Sequence, residues 1–190
     1  MGTDTVELIH EYEKYFNIHI PNEEAARIDT LQDAIDCIAR QLKIEEEETG
    51  TREFMHTRLN TALIETGRTT AQLTPRAPIF DIIPADDRNC FDMLANKMGL
   101  SVPQPSRKTD DGLSDKFIPK KVNYDYRLVT AARFADVICA ENFRKVIDPH
   151  TINSRYEIAA AIMGITSQVL GIDPYEITPQ KSIAKDLKVD

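Results

Sequence analysis

Asp4-Thr-Val-Glu-Leu-Ile-His-Glu-Tyr-Glu-Lys-Tyr-Phe-Asn-Ile-His-Ile-Pro21 is the stretch from which the fold can be read. Asp4 followed by Glu7 is a capping-box pattern, and Val6, Ile9, Tyr12 and Phe16 recur behind it at helical spacing. The spacing predicts a helix over 4–16, which Asn17 to Pro21 breaks. Outward from there, Asn22 can cap a short acidic turn reaching Arg27. Thr30 with Asp33 then starts a helix bearing Leu31, Ala34, Ile35, Ile38 and Leu42 on one side. The glutamate run 45–48 reads as a solvated linker.

Further helices are predicted over 51–66, 86–98, 130–145 and 154–170. The third of these carries Phe134, Val137, Ile138 and Phe143 on one side, and the last carries Ile158, Ile162, Ile165 and Val169. Residues 104–126, rich in polar residues, Pro and Lys, read as a long loop inserted between helices. Strand-like alternation is almost absent, so the expected fold class is all-α.

A chain of 190 residues can bury a real core, and its 28% charged and 42% apolar content is that of a soluble globular protein. The net charge of −8 argues against nucleic acid, whose phosphates need a basic surface, and favours basic protein partners. The charge is uneven: residues 1–49 hold 4 Lys/Arg against 13 Asp/Glu, residues 154–190 hold 4 against 5, and the middle is slightly basic. Cys37, Cys90 and Cys139 lack the pairing of a zinc site, and Cys37 and Cys139 fall on apolar helix stripes where a buried thiol is the common case. His10, His19, His56 and His150 are scattered without metal-site spacing. Catalysis is not expected. With no signal-peptide pattern and no apolar run of membrane-spanning length, a reducing cytoplasm without membrane contact is expected.

The sequence also repeats itself. Ile177-Thr-Pro-Gln-Lys-Ser-Ile183 matches Leu73-Thr-Pro-Arg-Ala-Pro-Ile79, and Lys14-Tyr-Phe-Asn-Ile-His-Ile-Pro21 matches Asn96-Lys-Met-Gly-Leu-Ser-Val-Pro103. Thr30, Asp36 and Ile38 correspond to Thr130, Asp136 and Ile138. The order of these matches predicts a complete unit at 51–146 and a second unit split around it, made of 1–44 with 150–190. The stripe of 154–170 and that of the N-terminal helices must then bury each other, within one chain or by exchange between two. A monomer or a swapped homodimer is expected.

Laid end to end, residues 177–190 and 4–21 resemble an acyl carrier protein cut at its prosthetic-group site. That family is a four-helix bundle that holds phosphopantetheine on a serine in an Asp-Ser-Leu motif opening the second helix. Asp4-Thr-Val-Glu-Leu8, the stretch from Phe16 to Pro21, and Asn22-Glu-Glu-Ala-Ala-Arg-Ile-Asp-Thr-Leu-Gln-Asp-Ala-Ile35 look like its second helix through its fourth. Residues 155–190 look like its first helix and loop, which makes the outer unit a circular permutation. The middle unit resembles the family weakly.

The resemblance also marks a loss. By the family's spacing back from Phe16, Gly2 stands at the serine position; matching Met-Gly-Thr-Asp-Thr to the motif puts Thr5 there instead. Asp190 falls at the aspartate before the serine, and Pro84 stands at the equivalent place in the middle unit. No phosphopantetheine cofactor is therefore expected, which leaves a non-catalytic, carrier-like binding or assembly module of acyl, lipid or polyketide metabolism, with an acyl chain as a candidate ligand. The alternative is a working carrier modified at Thr5 or another hydroxyl such as Ser182. In the family, acidic residues of the second helix meet Lys and Arg on partner enzymes, and Asp4, Glu7 and Glu13 stand at the matching positions for basic protein partners. Such complementarity speeds encounter more than it tightens the complex.

Overall fold

The computed structural model describes residues 3–48, 50–105 and 126–187. Among them it is all-helical: α1 Thr3–Phe16, α2 Asn22–Ala25, α3 Leu31–Leu42, α4 Thr51–Glu65, α5 Arg88–Met98, α6 Ala131–Glu141, α7 Phe143–Val146 and α8 Arg155–Leu170. The extended pairings are the isolated bridges Thr30↔Ser182 and Pro78↔Thr130. Most of the loop expected at 104–126 lies outside the described residues.

Local chemistry explains the boundaries. Thr30 accepts the Asp33 N–H while the Asp33 carboxylate accepts the Thr30 N–H, a reciprocal capping box, and Lys43 in the left-handed conformation ends α3. Thr130 and Ser154 cap α6 and α8 by accepting the Arg133 and Glu157 N–H groups. Gly99 and Gly171 close α5 and α8 at φ of 60° and 63°, backbone that a Cβ disfavours. The single helix expected over 130–145 is broken at Asn142. Its side-chain amide donates to the Ser101 and Ile138 carbonyls, and its Oδ1 accepts the Ser101 N–H, so the residue ties the end of α5 to α6.

Three smaller expectations change. Asp4 lies inside the first turn of α1, where its charge suits the helix dipole, rather than at the cap. The buried stripe of α1 is Leu8, Ile9, Tyr12 and Phe16, while Val6 faces solvent. The linker 45–48 keeps its side chains in water, yet the carbonyls of Glu46 and Glu47 accept the N–H groups of Arg155 and Tyr156, satisfying donors that the first turn of α8 leaves open.

Helix α8 is the centre of the molecule, packing against α1, α3 and α6, while α4 packs against α5 and α6. The buried apolar side chains form one continuous cluster. Gly164 makes the α6–α8 crossing close, because a Cβ there would overlap the Ala140 carbonyl oxygen and the Phe143 ring. Beneath α1, the fully buried Tyr12 hydroxyl meets Thr166 Oγ1 at 2.6 Å, and Thr166 spends its own proton on the Ile162 carbonyl. Tyr12 is therefore the donor, and burial pushes its ionisation far above the ordinary phenol value, so it stays neutral.

Two segments dock in the same manner. The tail lies along the start of α3: Leu31 N–H donates to Lys181 O at 3.3 Å, Gln32 N–H to Pro179 O at 2.7 Å, and Ile183 N–H to Asp29 O at 2.8 Å. The segment before α5 lies along the start of α6: Ala131 N–H donates to Ala77 O at 2.8 Å, Ala132 N–H to Pro75 O at 2.9 Å, and Ile79 N–H to Val129 O at 3.0 Å. Arginines at the first turns of α8 and α4 also reach matching aspartates, Arg155 to Asp36 and Arg52 to Asp136.

Candidate docking face

The solvent side of α1 presents Asp4, Val6, Glu7, His10 and Lys14, and Val6 is 53% exposed. Lys14 Nζ lies 3.3 Å from Glu11 Oε1. Asp4 and Glu7, at helical i, i+3 spacing, are left as an exposed acidic edge beside an exposed apolar residue. The field of such an exposed acidic edge acts through solvent and is weakened by salt.

Glu13 stands in a different environment from its two expected companions. Its Oε1 accepts the Ile20 N–H at 2.7 Å and lies 2.8 Å from His19 Nδ1, and its other oxygen is 3.9 Å from His10 Nδ1. The carboxylate pins the loop that follows α1, where Asn17 takes φ of 50°. A signal for this was present in sequence: an acid in the last helical turn just before a short loop whose amides need acceptors.

Of the attachment-site positions, Gly2 and Asp190 lie outside the described residues. Thr5 is half-buried in the first turn of α1. Ser182 is 8% exposed; its Oγ donates to Asp29 Oδ1 at 3.1 Å, across to the segment before α3, and accepts the Lys185 N–H of its own turn at 3.3 Å.

The thiols are buried and held protonated. Burial, with the Glu24 carboxylate beside it, pushes Cys37 up to about 11, and burial pushes Cys139 up to about 12. Among the described residues no group of three or more His, Cys, Asp or Glu side chains is placed to hold a metal ion, and no helix is long and apolar enough to cross a membrane.

Sequence reasoning missed Arg133. From α6 its guanidinium donates to the carbonyls of Pro174, Tyr175 and Ile177, fastening the 3-10 turn Pro174–Glu176 over α6. Nothing in a single arginine on a helix signals that role before the turn is placed.

Over 40 residues, 21% of its length, the chain is 52% identical to acyl carrier proteins of Porphyromonas gingivalis and of Chloroherpeton thalassium. Over 38 residues it is 53% identical to that of Chlorobium phaeobacteroides. The chain spans about half the length of these curated relatives, 51%, 50% and 49% respectively. No family model matches the chain, and no solved structure matches it. The chain is thus acyl-carrier-like over part of its length, in an all-helical fold.

Proposed function

We propose that the chain is a non-catalytic binding or assembly module of acyl metabolism, which docks basic protein partners through the exposed edge of α1 and carries no phosphopantetheine arm. The observation that carries this reading is the pairing of strong local identity to acyl carrier proteins with the exposure of Asp4 and Glu7 on α1. In this reading the molecule is two carrier-like units, the outer one permuted and split around the inner one. The two matching sets of three backbone hydrogen bonds support it, because residues that the internal sequence repeat aligns take the same place in each set: Lys181 and Ala77, Pro179 and Pro75, and Leu31 and Ala131. Gly2 at the serine-equivalent position has no hydroxyl to modify, and the Ser182 hydroxyl is engaged with the Asp29 carboxylate.

Two measurements test the proposal. Incubation with coenzyme A and a broad-specificity phosphopantetheinyl transferase should leave the intact mass unchanged; a gain of one phosphopantetheine, mapped to Thr5 or any serine, overturns the armless reading. Charge reversal at Asp4 and Glu7 should slow association with a basic acyl-metabolic enzyme and flatten its salt dependence. Rates that ignore the reversal would return these carboxylates to a merely solvated role.

A further inference from the structure

Two exposed apolar side chains sit in opposite electrostatic settings. Val6 on α1 is flanked by Asp4 and Glu7. Phe54 on α4, likewise 53% exposed, stands where two open clefts meet. One cleft, about 480 Å³, runs between Phe54, Arg58, Leu100, Lys145 and Val146. The other, about 350 Å³, continues along α4 to Lys97 and Glu65, whose charges are 3.5 Å apart and offset each other.

Arg58 is fixed in place: its guanidinium carbon lies 5.7 Å from the centre of the Phe54 ring, and it donates to the Met98 carbonyl. Lys145 and its neighbour Arg144 are exposed. A basic, aromatic recess thus lies on a chain whose net charge is −8 and whose first 49 residues hold 13 carboxylates against 4 cations.

We propose that this recess receives the α1 helix of a second copy of the chain, Val6 packing toward Phe54 while Asp4 and Glu7 face Arg58 and Lys145. Charge complementarity selects the occupant: the recess needs an acidic helix with one apolar side chain to spare, and α1 is an exposed helix of that description. The two surfaces are different patches, so the contact is head-to-tail, and a pair of copies keeps one free donor helix at one end and one free recess at the other. With one apolar pair and screened charges, the association is weak and salt-sensitive. The inference uses the same α1 edge as the proposed function and adds the α4 recess to it.

The test uses the full chain in sedimentation velocity. The wild type should exceed its monomer mass of 21.5 kDa progressively with concentration at low salt and return to monomer near 1 M salt, where the screening length is about 3 Å. A helix variant, Val6→Ser with Glu7→Lys, and a recess variant, Phe54→Ala with Lys145→Glu, should each be monomeric alone with an unchanged thermal melt. Mixed, they should form a dimer and nothing larger, because the recess variant supplies an intact α1 and the helix variant an intact recess. A wild type that stays monomeric at millimolar concentration, or a mixture that does not dimerise, overturns the inference. So does a recess that captures an added acidic carrier protein while ignoring α1. If the chain is monomeric yet still binds a basic enzyme through Asp4 and Glu7, self-association falls and the docking function stands; the recess variant leaves that binding untouched.

Discussion

At the scale of single residues, carboxylates that look alike in sequence divide by what their oxygens accept. Glu7 stands exposed on α1, whereas Glu13 accepts a backbone N–H and holds a loop. Glu13→Ala should therefore cost about 1 kcal/mol of stability, the ordinary worth of a capping hydrogen bond, while Glu7→Ala should cost almost nothing. Urea melts of the two variants measure this directly. Asp33 adds a pH signature. Partial burial alone would raise its pKa, but hydrogen bonds from the Thr30 N–H, the Thr30 hydroxyl and the Asp29 N–H outweigh it and hold the carboxyl below its ordinary 3.8. A depressed folded-state value means that the ionised form stabilises the fold. That contribution is complete well above pH 3.8 and is lost as the pH falls through the lower folded-state value. The stability gap between wild type and Asp33→Ala, followed by denaturant titration, should be widest near neutrality and close in acid. A gap independent of pH would mean the capping box contributes nothing as an ion.

At the scale of elements, what was legible in the sequence and what was not separate along physical lines. Helix existence and faces were legible where apolar residues recur at helical spacing behind a cap: α3, α6 and α8 bury Leu31, Ile35, Phe134, Ile138, Ile158 and Ile162 as their spacing requires. The stripe of α1 was misjudged by one position, because Val6 and Leu8 fit the period almost equally and only the position of α8 decides which of them is covered. The break at Asn142 was illegible, since it depends on the side chain bonding to Ser101, 41 residues away. Of the candidate site, the position of Asp4 and Glu7 on an open helix face was legible, while the loop-pinning role of Glu13 needed the loop. Gly164 belongs with the illegible features: in sequence it is a helix-weakening residue, and in the fold it is what lets α8 approach α6. Gly164→Ala should raise helix propensity yet destabilise the protein. The added methyl meets a backbone carbonyl and a buried ring that cannot swing away, placing the cost near the upper end of overpacking, about 3 kcal/mol. That is a fall in Tm of roughly 6–12 °C for a chain of this size. A higher Tm for the variant would show the crossing to be looser than described.

At the scale of the molecule, α8 is a late segment on which early ones depend. Its buried face includes Ile158, Ile162, Met163 and Ile165, and at roughly 1.5–3 kcal/mol for each large apolar side chain these alone supply about 6–12 kcal/mol of transfer free energy. That is the same size as the whole net stability of an ordinary domain, roughly 5–15 kcal/mol. Removing residues 150–190 would strip the cover from Leu8, Tyr12, Leu31 and Ile35, leave the Tyr12 hydroxyl without Thr166, and remove the tail that accepts the Leu31 and Gln32 N–H groups. Nothing else described packs over that face to the same extent, so 1–44 should lose its helices or aggregate. The segment 51–146 loses the contacts that α8 makes with α4, α6 and α7 and the Pro174–Glu176 turn that Arg133 holds over α6, but it keeps the packing of α4 against α5 and α6, so it should retain part of its structure at reduced stability. Circular dichroism and amide exchange on the truncated chain separate these fates, with protection lost from α1 and α3 and persisting in α4 and α5. If the truncated chain keeps full helicity in its N-terminal segment and one cooperative melt, α8 is not the missing partner of α1 and α3, and the permuted-carrier architecture is wrong.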